Sequence, residues 1–151
     1  MLVIEHKLRE LGVAFRLIEL NEKVVSVSDV AQLAAGTIRV EEICKTLLVK
    51  GKTSGNFFAL VVRGADRIDF KKVAAVLHEK AEMASAEEVV LETGVVPGAV
   101  CPFLLSVPLY IDEKVFHLEQ INTGSGDLYH GIEFASSALC TVMTASVDIA
   151  K

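Results

Sequence analysis

The chain of 151 residues contains no tryptophan, only 6% aromatic residues, and no run of 18 or more apolar residues. Hydrophobic residues make up 52% of the sequence, but a helix that crosses a bilayer needs a longer uninterrupted apolar stretch. The first residues, MLVIEHKLREL, introduce charge too early for the apolar region of a signal peptide. These absences predict a cytoplasmic protein with no membrane partner.

The sequence also lacks the cysteine and histidine spacings of disulfide frameworks and metal sites. Its three cysteines, Cys44, Cys101 and Cys140, are odd in number and far apart, with no C-x-x-C pair. The four histidines show no metal-binding spacing either. We therefore expect the cysteines to be small hydrophobic side chains in a reducing compartment, and we expect no bound metal.

Several well-defined catalytic motifs are missing. The pattern G-x-x-x-x-G-K-[ST] does not occur, which excludes a P-loop, and no G-x-G-x-x-G follows a predicted strand, so a dinucleotide site is poorly supported. Ser125 does not lie in G-x-S-x-G, and no base is spaced from it as in a known triad. The chain offers no self-evident pair of nucleophile and base.

The net charge of −5 argues against a protein that coats nucleic acid, but the charge is unevenly distributed. Residues 1–72 carry a balance of +3, and residues 73–151 carry −8. Because local fields matter more than totals when a polyanion docks, the first half of the chain permits such docking without requiring it.

The pattern of apolar residues predicts a single domain over residues 1–151 in the α+β class, with a mixed, mostly antiparallel sheet surrounded by helices. Ser85 and Glu88 form a predicted capping box, and Asp69 is a predicted N-cap. The predicted helices span 1–11, 29–36, 38–44, 69–80, 85–94 and 136–143. The predicted strands span 15–20, 45–51, 57–64, 107–116, 129–135 and 145–150.

Lys45 stands at the head of a predicted strand in the stretch EEICKTLLVKGK. Side chains alternate along a strand, so Lys45 shares a face with Leu47 and Val49. One interpretation is a lysine that extends its alkyl stem to reach solvent. The other is a lysine directed into a cleft, where its charge lies near a reacting group or a phosphate.

Two glycine-containing segments have a structural and a functional interpretation. In VVPGAVCPF, Gly98 and Pro102 frame either a rigid turn or a loop whose backbone N–H groups approach a ligand. In INTGSGD, Gly124 and Gly126 flank Ser125 in a predicted tight turn.

The segment RGADRIDFKKV also has two interpretations. It forms either a solvated charged face or a rim that contacts phosphates, through Arg63, Arg67, Lys71 and Lys72.

Taken in order, these segments resemble the YbaK/EbsC family, which comprises free-standing aminoacyl-tRNA deacylases and the related editing domain of bacterial prolyl-tRNA synthetases. The resemblance covers residues 26–150 and is most specific at I-x-K-T-L, residues 43–47, and at T-G-(x)3-G-(x)3-P, residues 93–102. The segments RIDFKK, VPLYIDEKVF and GIEFASSAL match less specifically. The implied fold is the barrel-like mixed sheet of that family.

The resemblance implies hydrolysis of the ester between a wrong amino acid and the 3′-terminal adenosine of a tRNA, without a cofactor. Lys45 corresponds to the family lysine most closely tied to activity. The implied substrate-binding residues are Ser26, Gly98, Ala99, Val100, Cys101, Pro102, Gly124 and Gly126. The implied partners are the acceptor end of aminoacyl-tRNA and a prolyl-tRNA synthetase, and the implied substrates resemble Cys- or Ala-charged tRNA for proline.

The chain departs from the family pattern at Ala99, where many members have glycine, and at Cys101, where several have proline or serine. These departures bear on the identity of the amino acid more than on the reaction. One alternative is a non-catalytic module that binds tRNA ends or nucleotides or assists a synthetase. Another is a hydrolase of small-molecule esters.

Overall fold

The computed structural model describes residues 1–20 and 38–151. Ser26 and the helix predicted over residues 29–36 lie outside these residues. Within them, no helix is long and apolar enough to cross a membrane.

The described elements are three α-helices and eight strands, connected by turns and short 3-10 helices. The helices are α1 (Val3–Glu10), α2 (Phe70–Leu77) and α3 (Ala86–Thr93). The strands are β1 (Phe15–Glu19), β2 (Cys44–Gly51), β3 (Phe57–Arg63), β4 (Ala81–Met83), β5 (Leu109–Asp112), β6 (Gln120–Gly124), β7 (His130–Ala135) and β8 (Ala145–Val147).

The strands form one sheet of five and one of three, in the orders β4-β2-β3-β5-β8 and β1-β7-β6. The β3–β5 and β5–β8 pairs are parallel and the other four are antiparallel. The predicted α+β class and mixed, mostly antiparallel pairing are confirmed. The barrel is not confirmed, because the described strands form two open sheets that share only an isolated bridge between Ile43 and Asn122.

Two helices begin at the capping residues that the sequence predicts. Asp69 caps α2 by accepting hydrogen bonds from the N–H groups of Lys71 and Lys72, and Ser85 and Glu88 form the reciprocal capping box of α3. The loop between β2 and β3 is held by Glu79, whose carboxylate accepts hydrogen bonds from the backbone N–H groups of residues 53 and 54. These bonds lower the pKa of Glu79.

Other predicted elements were wrong in type or extent. The strand predicted over 107–116 ends at Asp112, because the Asp112 carboxylate accepts from the N–H of Lys114 and starts the 3-10 helix Glu113–His117. The predicted helices over 38–44 and 136–143 are the 3-10 helices Val40–Glu42 and Ser136–Thr141. Strands β4 and β6 were not predicted.

The hairpin of β2 and β3 is buried on both faces. On one face, Ala59 and Val61 pack in a core with Ile4 and Leu8 of α1 and with the inward side of the three-stranded sheet, including Phe134. On the other face, Leu60 and Val62 pack in a second core with Val73 of α2. Burial on both faces explains the almost continuous apolar sequence of these strands.

The carboxylate of Asp112 is fully buried and organises the C-terminal segment. Its Oδ1 accepts hydrogen bonds from the N–H groups of Ile149 (2.9 Å) and Ala150 (3.0 Å), and its Oδ2 accepts from Lys114 (3.1 Å). Backbone groups that are buried without a partner are costly, so this side chain is a structural anchor.

We expect Asp112→Ala to lower the free energy of unfolding by about 3 kcal/mol, because it leaves buried N–H groups unpaired at about 1–3 kcal/mol each. The matched control is Asp148→Ala, since Asp148 is exposed and its ion pair with Lys72 is worth about 1 kcal/mol or less. Urea unfolding monitored by circular dichroism measures both values. Equal, small losses in the two variants would show that Asp112 is not the anchor.

Candidate functional site

A cavity of about 390 Å³ lies where the start of β2 meets β6 and the loop that follows α3. Within the described residues, β4 pairs with residues 49–51 of β2, and residues 44–47, which it leaves uncovered, all line the cavity. The described lining residues are Ile18, Leu20, Ile38, Ile43, Cys44, Lys45, Thr46, Leu47, Gly64, Pro97, Gly98, Val100, Asn122, Thr123, Gly124 and Gly131.

One face of the three-stranded sheet forms a wall of this cavity. Partners across an antiparallel pair lie on the same face, and Ile18 is opposite Gly131, which is opposite Gly124. Two residues along each strand, Arg16, Glu133 and Asn122 are opposite one another in the same way. The side chain of Asn122 therefore lies on the cavity face of β6, and that of its neighbour Ile121 lies in the core.

Lys45 is the only described lining residue with a charged side chain. It is half-buried at the second position of β2, opposite Val62 of β3. Burial lowers the pKa of its ammonium, Arg67 lowers the pKa further, and Asp66 opposes them. The cavity interpretation of Lys45 therefore agrees with its position, although both faces of β2 are covered rather than one.

The loop after α3 contains two 3-10 turns, Pro97–Ala99 and Pro102–Leu104. The N–H groups of Ala99 and Val100 donate within the first turn, to Val96 O (3.0 Å) and Pro97 O (3.4 Å). The Ala99 carbonyl in turn accepts from the N–H of Gly126 (2.8 Å). The loop is thus fixed by its own backbone bonds, and Gly98 presents backbone without a side chain to the cavity.

The predicted substrate-binding residues separate into two groups. Gly98, Val100 and Gly124 line the cavity with Lys45. The others are not among its lining residues: Ala99, Cys101 and Pro102 belong to the loop but are buried, and Gly126 (φ +87°) holds the loop through its N–H.

None of the four predicted tRNA-contact residues lines the cavity. Arg63 is paired with Asp66 (2.8 Å) and Lys72 with Asp148 (2.9 Å), so these two charges are largely compensated. Lys71 is exposed on α2, and Arg67 is close enough to Lys45 to lower its pKa.

Three buried polar side chains line the cavity, Thr46, Asn122 and Thr123, and sequence reasoning missed the importance of the first two. Thr46 is 6% exposed and Asn122 is 2% exposed, and Thr46 Oγ1 and Asn122 Oδ1 have no hydrogen-bond partner within the described residues. Native structures leave few buried polar atoms unpaired, and such atoms are found where a ligand or water binds. Thr46 was visible in K-T-L, but Asn122 lay in a segment interpreted as a glycine turn.

The described cavity contains no activated nucleophile or metal cluster. Burial raises the pKa of the Cys44 thiol to about 12, so this lining residue is a neutral thiol near pH 7. No group of three or more His, Cys, Asp or Glu side chains in the described residues could hold a metal ion.

The α+β fold and the cavity with its lysine do not by themselves identify a protein class, so the class rests on the sequence relationship. The profile of the aminoacyl-tRNA editing domain family matches residues 21–136. The chain belongs to this family, which confirms the predicted relationship.

Curated relatives include the proline--tRNA ligase of Chlamydia trachomatis serovar D, which is 40% identical over 75 residues. Those residues are 48% of this chain and 13% of the ligase. The proline--tRNA ligase of Blochmanniella pennsylvanica is 28% identical over 105 residues, or 63% of this chain and 18% of the ligase. The chain thus matches less than a fifth of the length of these curated relatives.

Solved structures share the fold over almost the whole chain. The crystal structure of the hypothetical protein APE2540 superimposes with a TM-score of 0.88 at 26% identity, covering 98% of this chain and 99% of that one. A structure described as a candidate trans-editing enzyme for prolyl tRNA synthetase gives a TM-score of 0.82 at 21% identity, covering 100% and 99%. At 21% identity, the similarity to this second structure shows a shared fold only.

The cavity wall at Gly124 gives a stability test, because a Cβ there would lie 2.6 Å from the Val100 carbonyl oxygen and 2.8 Å from the Ala99 carbonyl carbon. We expect Gly124→Ala to lower the free energy of unfolding by about 1–3 kcal/mol, since backbone must move. Gly131→Ala is the matched control, because its nearest contacts are at 3.7 Å. Equal unfolding free energies for the two variants would contradict this close approach.

Proposed function

We propose that this protein is an aminoacyl-tRNA deacylase that acts in trans on mischarged tRNA and hydrolyses the ester at the 3′-terminal adenosine. The observation that carries the proposal is the cavity itself, whose mainly apolar wall includes Lys45, the backbone of Gly98 and two polar atoms that have no partner among the described residues. The family relationship supplies the class of substrate.

The size and lining of the cavity suit part of an aminoacyl-adenosine. Ligand pockets typically have volumes of about 300–1,000 Å³ and a few polar groups in apolar walls. At about 390 Å³, this one has room for a small amino acid with part of its sugar. The substrates proposed are therefore tRNAs charged with small residues, such as Cys- or Ala-charged tRNA for proline.

The chemistry asks little of the protein. A water oxygen adds to the ester carbonyl carbon, the bond to the ribose oxygen breaks, and that oxygen takes a proton, so the products are the free amino acid and uncharged tRNA. The neighbouring ribose hydroxyl can assist, and positioning with electrostatic stabilisation supplies the rest. The absence of a nucleophile–base pair in the described cavity is compatible with this mechanism.

Within this mechanism the ammonium of Lys45 contacts a phosphate or ribose oxygen of the terminal adenosine, or the ester carbonyl, and stabilises negative charge there. Gly98 orients the carbonyl or the attacking water through its exposed backbone. Ala99, Cys101 and Pro102 are buried within that loop and stabilise it, and the N–H of Gly126 ties it to the turn after β6. Arg67 and Lys71 are the better candidates for contacts along the tRNA, since Arg63 and Lys72 already pair with carboxylates.

The partner proposed is the acceptor end of tRNA, with a prolyl-tRNA synthetase as a second partner. The segment shared with the proline--tRNA ligases supports this association. Acting in trans, the protein would correct charging errors after the tRNA leaves the synthetase.

We expect Lys45→Ala to lower kcat/KM for the best of the Ala-, Cys- and Ser-charged tRNAs by about 100-fold or more, because one preorganised charge contact is commonly worth that much. Lys52→Ala is the matched control, since it removes an exposed lysine at the far end of β2. Release of labelled amino acid measures both rates. Equal activity of Lys45→Ala and wild type would refute the role of Lys45.

The rival function is a binding module that recognises charged tRNA ends without turnover, which the lack of a nucleophile–base pair in the described cavity would also accommodate. Single-turnover deacylation at saturating protein separates the two. A wild type that binds charged tRNA but releases no amino acid above the uncatalysed rate would favour the module. Hydrolysis of simple amino-acid esters without a preference for tRNA would favour a small-molecule hydrolase.

The pH dependence of the reaction reports on Lys45. Burial and Arg67 lower its pKa from 10.5, so the ammonium is lost at a lower pH than in free lysine, and the catalysed rate falls as pH rises through that value. Arg67→Gln removes a positive charge that lowers the pKa of Lys45, so it should shift the midpoint of this fall in rate to higher pH. Lys80→Gln, which removes an exposed cation near the far end of β2, should leave the midpoint in place.

Uncatalysed ester hydrolysis accelerates at alkaline pH and is subtracted from each point of the profile. Because all variants use the same substrate, its own titration cancels in the comparison. An unchanged midpoint in Arg67→Gln would show that the profile does not report the Lys45 ammonium.

A further inference from the structure

Asn122 combines three properties that the proposed mechanism does not use. It is 2% exposed, it lies on the cavity face of β6, and its Oδ1 has no hydrogen-bond partner in the described part of the chain. The hydroxyl of Thr46 shares the last property, but a hydroxyl can donate or accept. An amide oxygen can only accept, so it specifies the kind of group that must face it.

The hydrogen bonds behind Asn122 determine which amide atom faces the cavity. Its Nδ2 donates to Oε2 of Glu133 at 3.2 Å, and the Glu133 carboxylate also accepts from Arg16 Nε (3.2 Å) and Nη2 (2.9 Å). The flipped amide would place Oδ1 against a carboxylate oxygen, two acceptors facing one another. Arg16 lowers the pKa of Glu133, so the carboxylate is anionic near neutral pH and keeps Oδ1 away from itself.

The charges around the cavity favour a cationic donor at this atom. The Glu133 carboxylate behind Asn122 polarises the amide, and a polarised amide oxygen is a stronger acceptor. The cation of the lining, Lys45, is on a different strand, and no described lining residue carries a negative charge. A substrate cation would therefore find its best acceptor at Asn122.

An aminoacyl ester has one cationic donor, its α-ammonium. Its carbonyl, ester and phosphate oxygens are acceptors and are suited to Lys45, whereas the ribose hydroxyl and the adenine amino group are neutral donors. We propose that Asn122 Oδ1 accepts a hydrogen bond from the α-ammonium of the substrate, and that the Arg16–Glu133 pair holds the amide in place for it. This inference rests on the proposed function and specifies the substrate class further.

The consequence is a preference for esters with a free α-amine. An N-acylated aminoacyl-tRNA, such as peptidyl-tRNA, has no α-ammonium and carries extra bulk at this point in the cavity. Asn122 would therefore spare peptidyl-tRNA while mischarged aminoacyl-tRNA is hydrolysed. Asn122 is a specificity-determining contact in this account, and Arg16 and Glu133 are positioning residues.

The first test uses the wild-type protein and needs no mutation. One tRNA is charged with the amino acid it hydrolyses best, and matched samples carry the α-hydroxy analogue or the N-acetyl derivative of that amino acid. At about pH 6, below the usual α-amine pKa of about 7.7–8.0, we expect kcat/KM for the aminoacyl ester to exceed that for the α-hydroxy ester by about tenfold or more, after uncatalysed rates are subtracted. The N-acetyl ester should react more slowly still.

The second test uses Asn122→Leu, which keeps a similar size and removes the acceptor. Its kcat/KM for the aminoacyl ester should fall about 10- to 100-fold, while the rate with the α-hydroxy ester changes less, so the preference collapses. Ser136→Ala is the control, because it removes a buried polar side chain that is hydrogen-bonded to Leu118 outside the cavity and should keep the preference. Urea unfolding of both variants identifies any loss of folding.

The outcomes separate this inference from the proposed function. If the wild type hydrolyses aminoacyl and α-hydroxyacyl esters equally, Asn122 does not bind the α-ammonium, but the proposed deacylase function is still supported. If Asn122→Leu folds and retains the wild-type preference, the inference is likewise overturned. If no charged tRNA is hydrolysed, both the proposed deacylase function and this inference are refuted.

Discussion

In the part of the chain that the structure describes, the two sheets meet at one backbone bridge, between Ile43 and Asn122, and the cavity lies beside it. A continuous ladder at this junction would close the space between the sheets, whereas the described strands share one bridge there and residues 44–47 of β2 line the cavity. Lys45 follows the bridge by two residues on one side, and Asn122 belongs to the bridge itself on the other. The proposed catalytic charge and the proposed amine acceptor are thus positioned by the same junction.

The part of the cavity wall where the end of β6 meets the loop after α3 depends on a different constraint, the close approach of two backbones. Gly124 lies so near the carbonyl groups of Ala99 and Val100 that a side chain cannot be accommodated, and the N–H of Gly126 bonds to the Ala99 carbonyl. The glycine segment interpreted as a tight turn contains the end of β6 at Gly124 as well as the turn into β7, where Gly126 has φ +87°. Gly124 serves the packing between backbones, and Gly126 serves the turn.

Much of the fold could be predicted from sequence because its signals are local. The capping box of α3, the Asp69 cap of α2 and the hairpin of β2 and β3 each depend on residues within a few positions of one another. The failures involve interactions that the apolar pattern does not reveal: the Asp112 carboxylate ends β5 by accepting from the N–H of Lys114, and the same buried side chain binds the N–H groups of residues 149 and 150, far along the chain. Lys45 stood out because a charge in an apolar strand is conspicuous, whereas Asn122 becomes significant only once Glu133 is known to lie beside it.

The departures from the family pattern at Ala99 and Cys101 acquire a physical meaning from their positions. Both residues are 2% exposed, Cys101 lies in the main core, and neither lines the cavity. They therefore cannot select an amino acid by touching it, but they set where Gly98 and Val100 stand. Because one methylene in a pocket changes selectivity by only about 1–3 kcal/mol, a small displacement of this loop would be enough to alter which small amino acid is accepted. In the proposed deacylase, specificity is then a property of the buried residues of this loop as much as of the surface that the substrate meets.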